Sequence, residues 1–389
     1  MQLKHNILKL YLLRGFLWFM VSMPIIVLFF QENGLNLMEV MILQSVYSFT
    51  IAITEIPSGY IADYFGRKNS LILGTVLTFC GYLIFSNFSS FEIFICAQII
   101  IAIGGSLMSG ADSALMYDTL LETEDEKHYT KVEGRTYAIG NFSEAVAGLL
   151  GGFLATTSLL LPVQVQTSIL FICIPIAISL VEPSLHKKDK IEKGFYSIIK
   201  VVRYSLLENT KLRWLIIYSS IMGVATLSAA WLAQPFFKSI DIPIVYYGVL
   251  WATLNITAGI SSINSYKHEQ KYNTPKLLLI LGLLMSLSFI IIYFTPNYFG
   301  LILIFAIYYL RGILTPLLKN QININTESNI RATVMSVRSF ILRIGFAITA
   351  PILGYLADNI SISHSFLILS VLIIILSSLS SVRLKNSFR

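Results

Sequence analysis

The chain has 389 residues, of which 55% are hydrophobic and only 13% are charged. Soluble domains carry about 25% charged residues, so this composition excludes an ordinary soluble protein and indicates a membrane protein. The net charge of +7 would also suit nucleic-acid binding, but the basic residues are placed as membrane topology requires. The three cysteines lie in apolar runs without the spacing of a zinc site or a disulfide framework.

Twelve apolar stretches are long enough to cross a bilayer as helices. They are Ile7–Phe30, Leu37–Ala62, Ser70–Ser86, Phe91–Tyr117, Tyr137–Thr157, Leu161–Val181, Leu212–Phe237, Ile242–Ile263, Pro275–Phe294, Tyr298–Leu318, Ala332–Ala357 and Ser363–Ser381. The sequence therefore predicts an all-α membrane protein of twelve transmembrane helices in two pseudo-symmetric six-helix bundles. Residues 1–181 form the first predicted bundle, 182–211 a cytoplasmic linker and 212–389 the second bundle.

Weak internal similarity supports the two halves, because Gly59 aligns with Gly259 and Arg135 with Arg338, about 200 residues apart. Within the linker, apolar residues recur at helical spacing between basic ones. This pattern predicts either an amphipathic helix on the inner membrane surface or an ordinary linker helix. The apolar positions are Phe195, Ile198, Ile199, Val202 and Leu206.

Basic residues lie almost entirely on one side of the predicted membrane. The loops on the other side hold one, Lys238. Since cytoplasmic loops are enriched in Lys and Arg, we expect a multi-pass protein with both termini in the cytoplasm, in a bacterial inner membrane. The basic residues of the cytoplasmic side include Lys4, Lys9, Arg67, Lys68, Lys127, Lys131, Lys187, Lys188, Lys190, Lys193, Lys267, Lys271, Arg383, Lys385 and Arg389.

The turn after the second predicted span contains five residues of a defined motif: Gly59, Asp63, Gly66, Arg67 and Lys68. Gly59 is suited to close helix approach and Gly66 to a tight turn. In this turn the chain resembles the major facilitator superfamily, whose signature G-x-x-x-D-x-x-G-R-K is matched at every defined position. The resemblance implies a twelve-helix transporter fold, which works without a cofactor and is not an enzyme.

Further stretches resemble a bacterial branch of that family, among them E-I-P-S-G, which begins at Glu55. We expect Asp63, Arg67 and Asp118 to form a cytoplasmic charge cluster. Glu55 has two interpretations. It either pairs with Arg338 or Arg343 as a latch between the halves, or caps its own helix before Pro57.

Charged residues inside predicted spans are costly and indicate function or pairing. They are Arg14, Asp112, Glu144 and Arg311, besides Arg338 and Arg343. The resemblance places Arg14, Asp112 and Arg311 at a central cavity. Asp112 and Glu144 are the candidate carboxylates of this substrate and proton cavity, and Asp112, with Arg14 and Arg311 as partners, is the expected proton-coupling one. Three structural alternatives stay open: Arg14 snorkels to the interface, Asp112 only neutralises an arginine, and Glu144 serves helix contact beside nearby glycines.

A secondary transporter driven by the proton gradient is the leading functional interpretation. Span five ends in Gly151-Gly152, the last two positions of the exporter motif G-P-x-x-G-G, which favours proton-coupled efflux. The alternatives are a proton-coupled importer of a small anion, favoured by Arg14 and Arg311, and a non-transporting sensor.

The sequence holds no H-E-x-x-H, no C-x-x-C and no phosphate-binding loop. Expected partners are the lipid bilayer, protons and a small amphipathic molecule, with no nucleic acid and a monomeric chain.

Overall fold

The computed structural model describes residues 3–184, 200–263, 265, 267, 273–327 and 330–387. These residues form α-helices joined by short turns, without a strand among them. The helices of the first half are α1 (Asn6–Leu17), α2 (Ile26–Glu32), α3 (Leu37–Phe65), α4 (Arg67–Asn87), α5 (Phe91–Met108), α6 (Ala111–Glu122), α7 (Tyr129–Leu154) and α8 (Leu160–Ser179). Those of the second half are α9 (Thr210–Ser239), α10 (Tyr247–Ile263), α11 (Thr274–Phe294), α12 (Tyr298–Ile324), α13 (Arg331–Asn359) and α14 (Ile362–Ser387).

Ten helices of the described part are long and apolar enough to cross a membrane, with α5 and α6 counted as one. The other two predicted spans correspond to α1 with α2 and to α7, whose middle carries polar residues such as Asn141 and Glu144. The predicted all-α fold class is confirmed.

The first predicted span, Ile7–Phe30, is not one continuous helix. Helix α1 ends at Leu17 and α2 begins at Ile26. Pro24 lies in the intervening turn, where it cannot donate a backbone hydrogen bond. In the same turn, the Val21 N–H donates to the Phe19 carbonyl oxygen at 3.1 Å and to Oε1 of the buried Gln166 in α8 at 2.7 Å.

The fourth predicted span is interrupted as well. Helix α5 ends at Met108, and α6 begins at Ala111 after a turn at Ser109 and Gly110. Gly110 has a φ of +79°, a left-handed conformation that glycine adopts without a steric penalty. The break places Asp112 in the first turn of α6.

The chain divides into two compact units. Unit 1 contains Met1–Leu35, Val46–Ile191 and Pro243–Ala252, and unit 2 contains the remainder. The division differs from the predicted sequential bundles at two short segments, Asn36–Ser45 and Pro243–Ala252.

Specific contacts explain the first of these exchanged segments. In unit 2, the Asp358 carboxylate accepts hydrogen bonds from the N–H groups of Leu37 and Met38, at 3.0 and 2.7 Å. Gly354 lets the Met38 backbone approach the same helix, since a side chain at that position would overlap it.

The second exchanged segment is explained by glycine packing inside unit 1. Gly248 lies against the backbones of Gly148 and Gly152 in α7, where side chains on either helix would overlap the other.

Each unit has its own aromatic core. In unit 1, Phe30 packs on Phe85 and Phe94, with ring centroids 5.3 Å apart in both pairs. In unit 2, Phe366 packs on Phe236 and Phe289 at 5.8 and 5.9 Å. In unit 1 these rings stand on α2, α4 and α5, and in unit 2 on α9, α11 and α14.

Candidate functional site

An ion pair joins the two broken helices of unit 1. Nη1 of Arg14, in the last turn of α1, lies 3.2 Å from Oδ2 of Asp112. The side chains are 22% and 26% exposed. The ion pair brings together two of the residues predicted for the cavity. The guanidinium carbon of Arg14 also lies 4.8 Å from the centre of the Trp18 ring. The Arg14 side chain thus contacts both an acidic and an aromatic side chain.

The Asp112 carboxylate has a second partner at the start of α6. Its other oxygen, Oδ1, accepts the N–H of Ser113 at 2.8 Å. The free N–H groups of a helix N-terminus favour a carboxylate in the first turn. Arg14 and the start of α6 thus contact the Asp112 carboxylate from two sides.

A second carboxylate, that of Glu133, lies near the Arg14–Asp112 pair and was not among the residues predicted from the sequence. The Ser113 hydroxyl donates to Oε1 of Glu133 in α7, at 3.2 Å. Glu133 precedes the predicted fifth span, where a charged residue is common, and no motif includes it. The sequence feature that could have singled out Glu133 is its position one helical turn after Tyr129.

Tyr129 lies beside the same two carboxylates and precedes the predicted fifth span. Burial raises the pKa of its hydroxyl, the negative charges of Glu133 and Asp112 raise it further, and a hydrogen bond with Ser113 opposes them. Its ring contacts that of Tyr117 edge to face, with centroids 5.3 Å apart. The cluster of Arg14, Asp112, Ser113, Tyr129 and Glu133 is called the carboxylate network here.

The turn after α3 forms a second polar group. Nη1 of Arg67 donates to the Asp118 carboxylate and, at 2.7 Å, to the carbonyl oxygen of Ala114. Both bonds tie the start of α4 to α6. Gly66 before it has a φ of +99°, which fits the predicted tight turn. The side chain of Asp63, the third predicted member of this cluster, lies outside the described residues.

A residue absent from the motif completes this turn. The Glu182 carboxylate accepts the N–H groups of Arg67 and Lys68, at 2.9 and 2.7 Å, and so caps α4. The expectation that Gly59 permits close helix approach is wrong. No described atom lies within 4 Å of the position that a Cβ on Gly59 would occupy.

Glu144 stands in α7, in unit 1, on the helix that carries the glycine contacts. Gly151 lies directly against the Val21 backbone, and Gly148 against the Trp251 ring at 3.2 Å from its would-be Cβ. The glycines of this face therefore serve helix contact. The role of Glu144 in the cavity stays a prediction.

The remaining charged candidates stand in unit 2. Nε of Arg338 donates to the Ser219 hydroxyl. The guanidinium carbon of Arg311 lies 5.4 Å from the centre of the Tyr308 ring. Nε of Arg343 is buried without a hydrogen-bond partner among the described residues.

Glu55 lies in the interior of α3, which continues through Pro57 to Phe65. The helix-capping interpretation of Glu55 is therefore wrong. Its pairing with Arg338 or Arg343 stays a prediction, for which rescue by charge reversal at both positions is the test.

Part of the predicted linker helix, including Phe195, Ile198 and Ile199, lies outside the described residues. Among the residues that are described, no group of three or more His, Cys, Asp or Glu side chains is placed to hold a metal ion.

Comparisons with known proteins agree with this fold. The model of the Major Facilitator Superfamily matches residues 8–326. The uncharacterized MFS-type transporter YxaM of Bacillus subtilis (strain 168) is 23% identical over 363 residues, which cover 90% of this chain and 89% of that protein.

Two crystal structures illustrate the likeness in fold. That of the nucleoside transporter NupG superposes with a TM-score of 0.81 at 12% identity and covers 99% of this chain and 100% of its own. That of a D-xylose-proton symporter gives a TM-score of 0.71, also at 12% identity, and covers 96% of this chain and 97% of its own.

Proposed function

Since the chain belongs to the Major Facilitator Superfamily, and is a membrane transporter and not an enzyme, we propose that it is a secondary active transporter. In this proposal it moves a small organic molecule by alternating access and exports it in exchange for protons. The proton gradient supplies the energy, and no cofactor is needed. We further propose a monomer in a bacterial inner membrane with both termini in the cytoplasm.

The Arg14–Asp112 ion pair carries this proposal. Intramembrane charges are costly and are kept where they bind substrate or protons. This pair joins the ends of two interrupted helices, and discontinuous helices form the ion and substrate sites of many transporters. An ion pair that forms in one state and separates in another changes the local affinity for protons.

Aromatic side chains beside the charges suit an amphipathic substrate. Arg14 packs on Trp18, and Tyr117 contacts Tyr129 of the carboxylate network edge to face. Flat apolar rings next to a charged pair bind molecules that combine an apolar body with a polar group. The direction of transport rests on the partial exporter motif that ends in Gly151-Gly152.

An importer of a small anionic metabolite is the second candidate. Nε of Arg14 is buried without a hydrogen-bond partner among the described residues, so its guanidinium retains a donor for an anion. The fold is similar to that of a protein named as a D-xylose-proton symporter, and this likeness concerns the fold only. A sensor that transports nothing is the third.

The test is proton movement in proteoliposomes that enclose a pH-sensitive dye. The compound panel includes nucleosides, pentoses, small peptides, organic anions and amphipathic cations. Export predicts that an added compound drives proton movement opposite to its own. Proton movement in the same direction as an anion supports the importer, and no compound-dependent flux with correctly inserted protein supports the sensor.

A further inference from the structure

Glu133 is the acidic residue of the carboxylate network that has the least support for a negative charge. Its Oε1 accepts one hydrogen bond, from the Ser113 hydroxyl at 3.2 Å. Its Oε2 is buried and has no hydrogen-bond partner among the described residues. No Lys, Arg or His in the described part of the chain lies within salt-bridge distance of either oxygen.

Asp112, one residue before Ser113, is in the opposite situation. Arg14 binds one of its oxygens, and the N–H of Ser113 binds the other. Burial disfavours a carboxylate charge, whereas a cation and N–H donors favour it. Protonation therefore removes an uncompensated charge at Glu133, while at Asp112 it breaks an ion pair.

The titratable groups of α6 and α1 near Glu133 are either acidic or already bound to other partners. Asp112 faces it from α6, through Ser113, and Tyr129 lies one turn earlier on its own helix. On α1, which also packs against α7, Arg14 is bound to Asp112 and Lys9 donates to the Ser179 carbonyl oxygen.

On α7 itself, Lys131 and Arg135 lie two positions before and after Glu133, and both are exposed. Helix α8 contains no charged residue. In the turn before α7, Lys127 is exposed, and the half-exposed His128 ring pairs with Asp125.

We propose that Glu133 binds and releases the coupling proton, with Ser113 as the positioning residue that connects it to the Arg14–Asp112 pair. This inference rests on the proposed proton-coupled transport. The proton adds to Oε2 of Glu133, the carboxylate becomes a neutral acid, and the same proton returns to water on release.

Ser113 supplies the connection to the ion pair. A neutral acid is a weaker acceptor than a carboxylate, so protonation loosens the bond from the Ser113 hydroxyl to Oε1. The N–H of the same residue holds Asp112. Protonation of Glu133 is thereby transmitted to the first turn of α6, where Asp112 meets Arg14.

Infrared spectroscopy of the purified full chain in lipid nanodiscs tests the proton site without any substrate. A protonated carboxylic acid has a carbonyl stretching band that an ionised carboxylate lacks. We expect wild-type protein to show such a band that disappears on titration to alkaline pH. Glu133→Gln loses the band, while Asp112→Asn and the same-helix control Glu144→Gln retain it.

Ser113 variants test the positioning role. Ser113→Ala shifts the frequency of the band, because the acid loses its hydroxyl partner, and Ser113→Thr restores the frequency. Glu133→Asp is the second variant if Glu133→Gln does not fold, and it keeps a titrating band at a changed frequency. A titrating band that persists in Glu133→Gln, or the lack of such a band in wild type, overturns the proposal.

Proteoliposome assays separate this proposal from the general function. If no compound is transported but the band is lost in Glu133→Gln alone, the transport proposal fails and the proton site stands. If transport is proton-driven and Glu133→Gln keeps the pH profile of wild type, the assignment of Glu133 is wrong although the transport proposal stands.

Discussion

The carboxylate of Asp358, near the end of α13, lies 2.7 Å from the backbone nitrogen of Met38 at the start of α3. The other oxygen accepts the N–H of Leu37, so one side chain binds two of the free donors of a helix N-terminus. More than three hundred residues separate these partners in the chain. The pair explains why the segment Asn36–Ser45 belongs to unit 2.

Asp358→Ala is expected to destabilise this attachment by about 1 kcal/mol, the usual cost of losing a helix cap. Removal of the negative charge near the helix N-terminus adds a few tenths. The measurement is the thermal unfolding midpoint of purified protein in detergent. Asn359→Ala is the matched control, since the Asn359 amide donates only to the Tyr355 carbonyl of its own helix. Equal midpoints for the two variants would contradict the assigned role of Asp358.

Glu182 is expected to stabilise the turn before α4 through its carboxylate oxygens. Glu182→Ala should lower the free energy of unfolding by about 1 kcal/mol, because the N–H groups of Arg67 and Lys68 lose their acceptor. Glu182→Gln retains one acceptor oxygen and should cost less. The thermal midpoints of the three proteins should therefore fall in the order wild type, Gln, Ala. A Gln variant as unstable as the Ala variant argues against this geometry.

Gly151 and Gly59 form a contrasting pair of α-helical glycines. A methyl group on Gly151 would overlap the Val21 carbonyl, so Gly151→Ala should cost about 1–3 kcal/mol through overpacking. Gly59 has open space, so Gly59→Ala should be neutral or stabilise the helix by up to about 1 kcal/mol. Unfolding midpoints of the two variants, measured side by side, test both statements. Destabilisation by Gly59→Ala would restore the role in close packing that the sequence suggested.

Asp112→Asn should uncouple transport without abolishing substrate binding. The amide carries no charge to neutralise Arg14, so the ion pair between α6 and α1 is lost. We expect gradient-driven flux to fall strongly while exchange of substrate across the membrane continues. Glu144→Gln is the control for a neutralised acid in the same unit. Full gradient-driven transport by Asp112→Asn would show that the ion pair is only structural.

The sequence was sufficient for the fold class because long apolar stretches and the distribution of basic residues follow from the bilayer itself. It was also sufficient to select Arg14 and Asp112, since a charge inside an apolar stretch is conspicuous. The continuity of the first and fourth spans was misjudged. Pro24 and Gly110 were visible signals, but apolar length alone does not distinguish one helix from two.

The carboxylates that the sequence missed share a physical reason. Glu133 and Glu182 stand near span ends, where acidic residues are common and carry no periodic signal. Their importance comes from partners far away in the chain, Ser113 for one and the N–H groups of Arg67 and Lys68 for the other. Such pairings depend on tertiary structure and cannot be found by local pattern.

The hydrogen bond from Val21 to Gln166 has a consequence for the break between α1 and α2. An N–H group without a partner is costly in an apolar surrounding, and here the Val21 N–H donates both to the Phe19 carbonyl oxygen and to a buried side chain of another helix. The break between α1 and α2 is thus held by contacts of the protein itself. These contacts set where α1 ends, and with it the position of Arg14 beside Asp112.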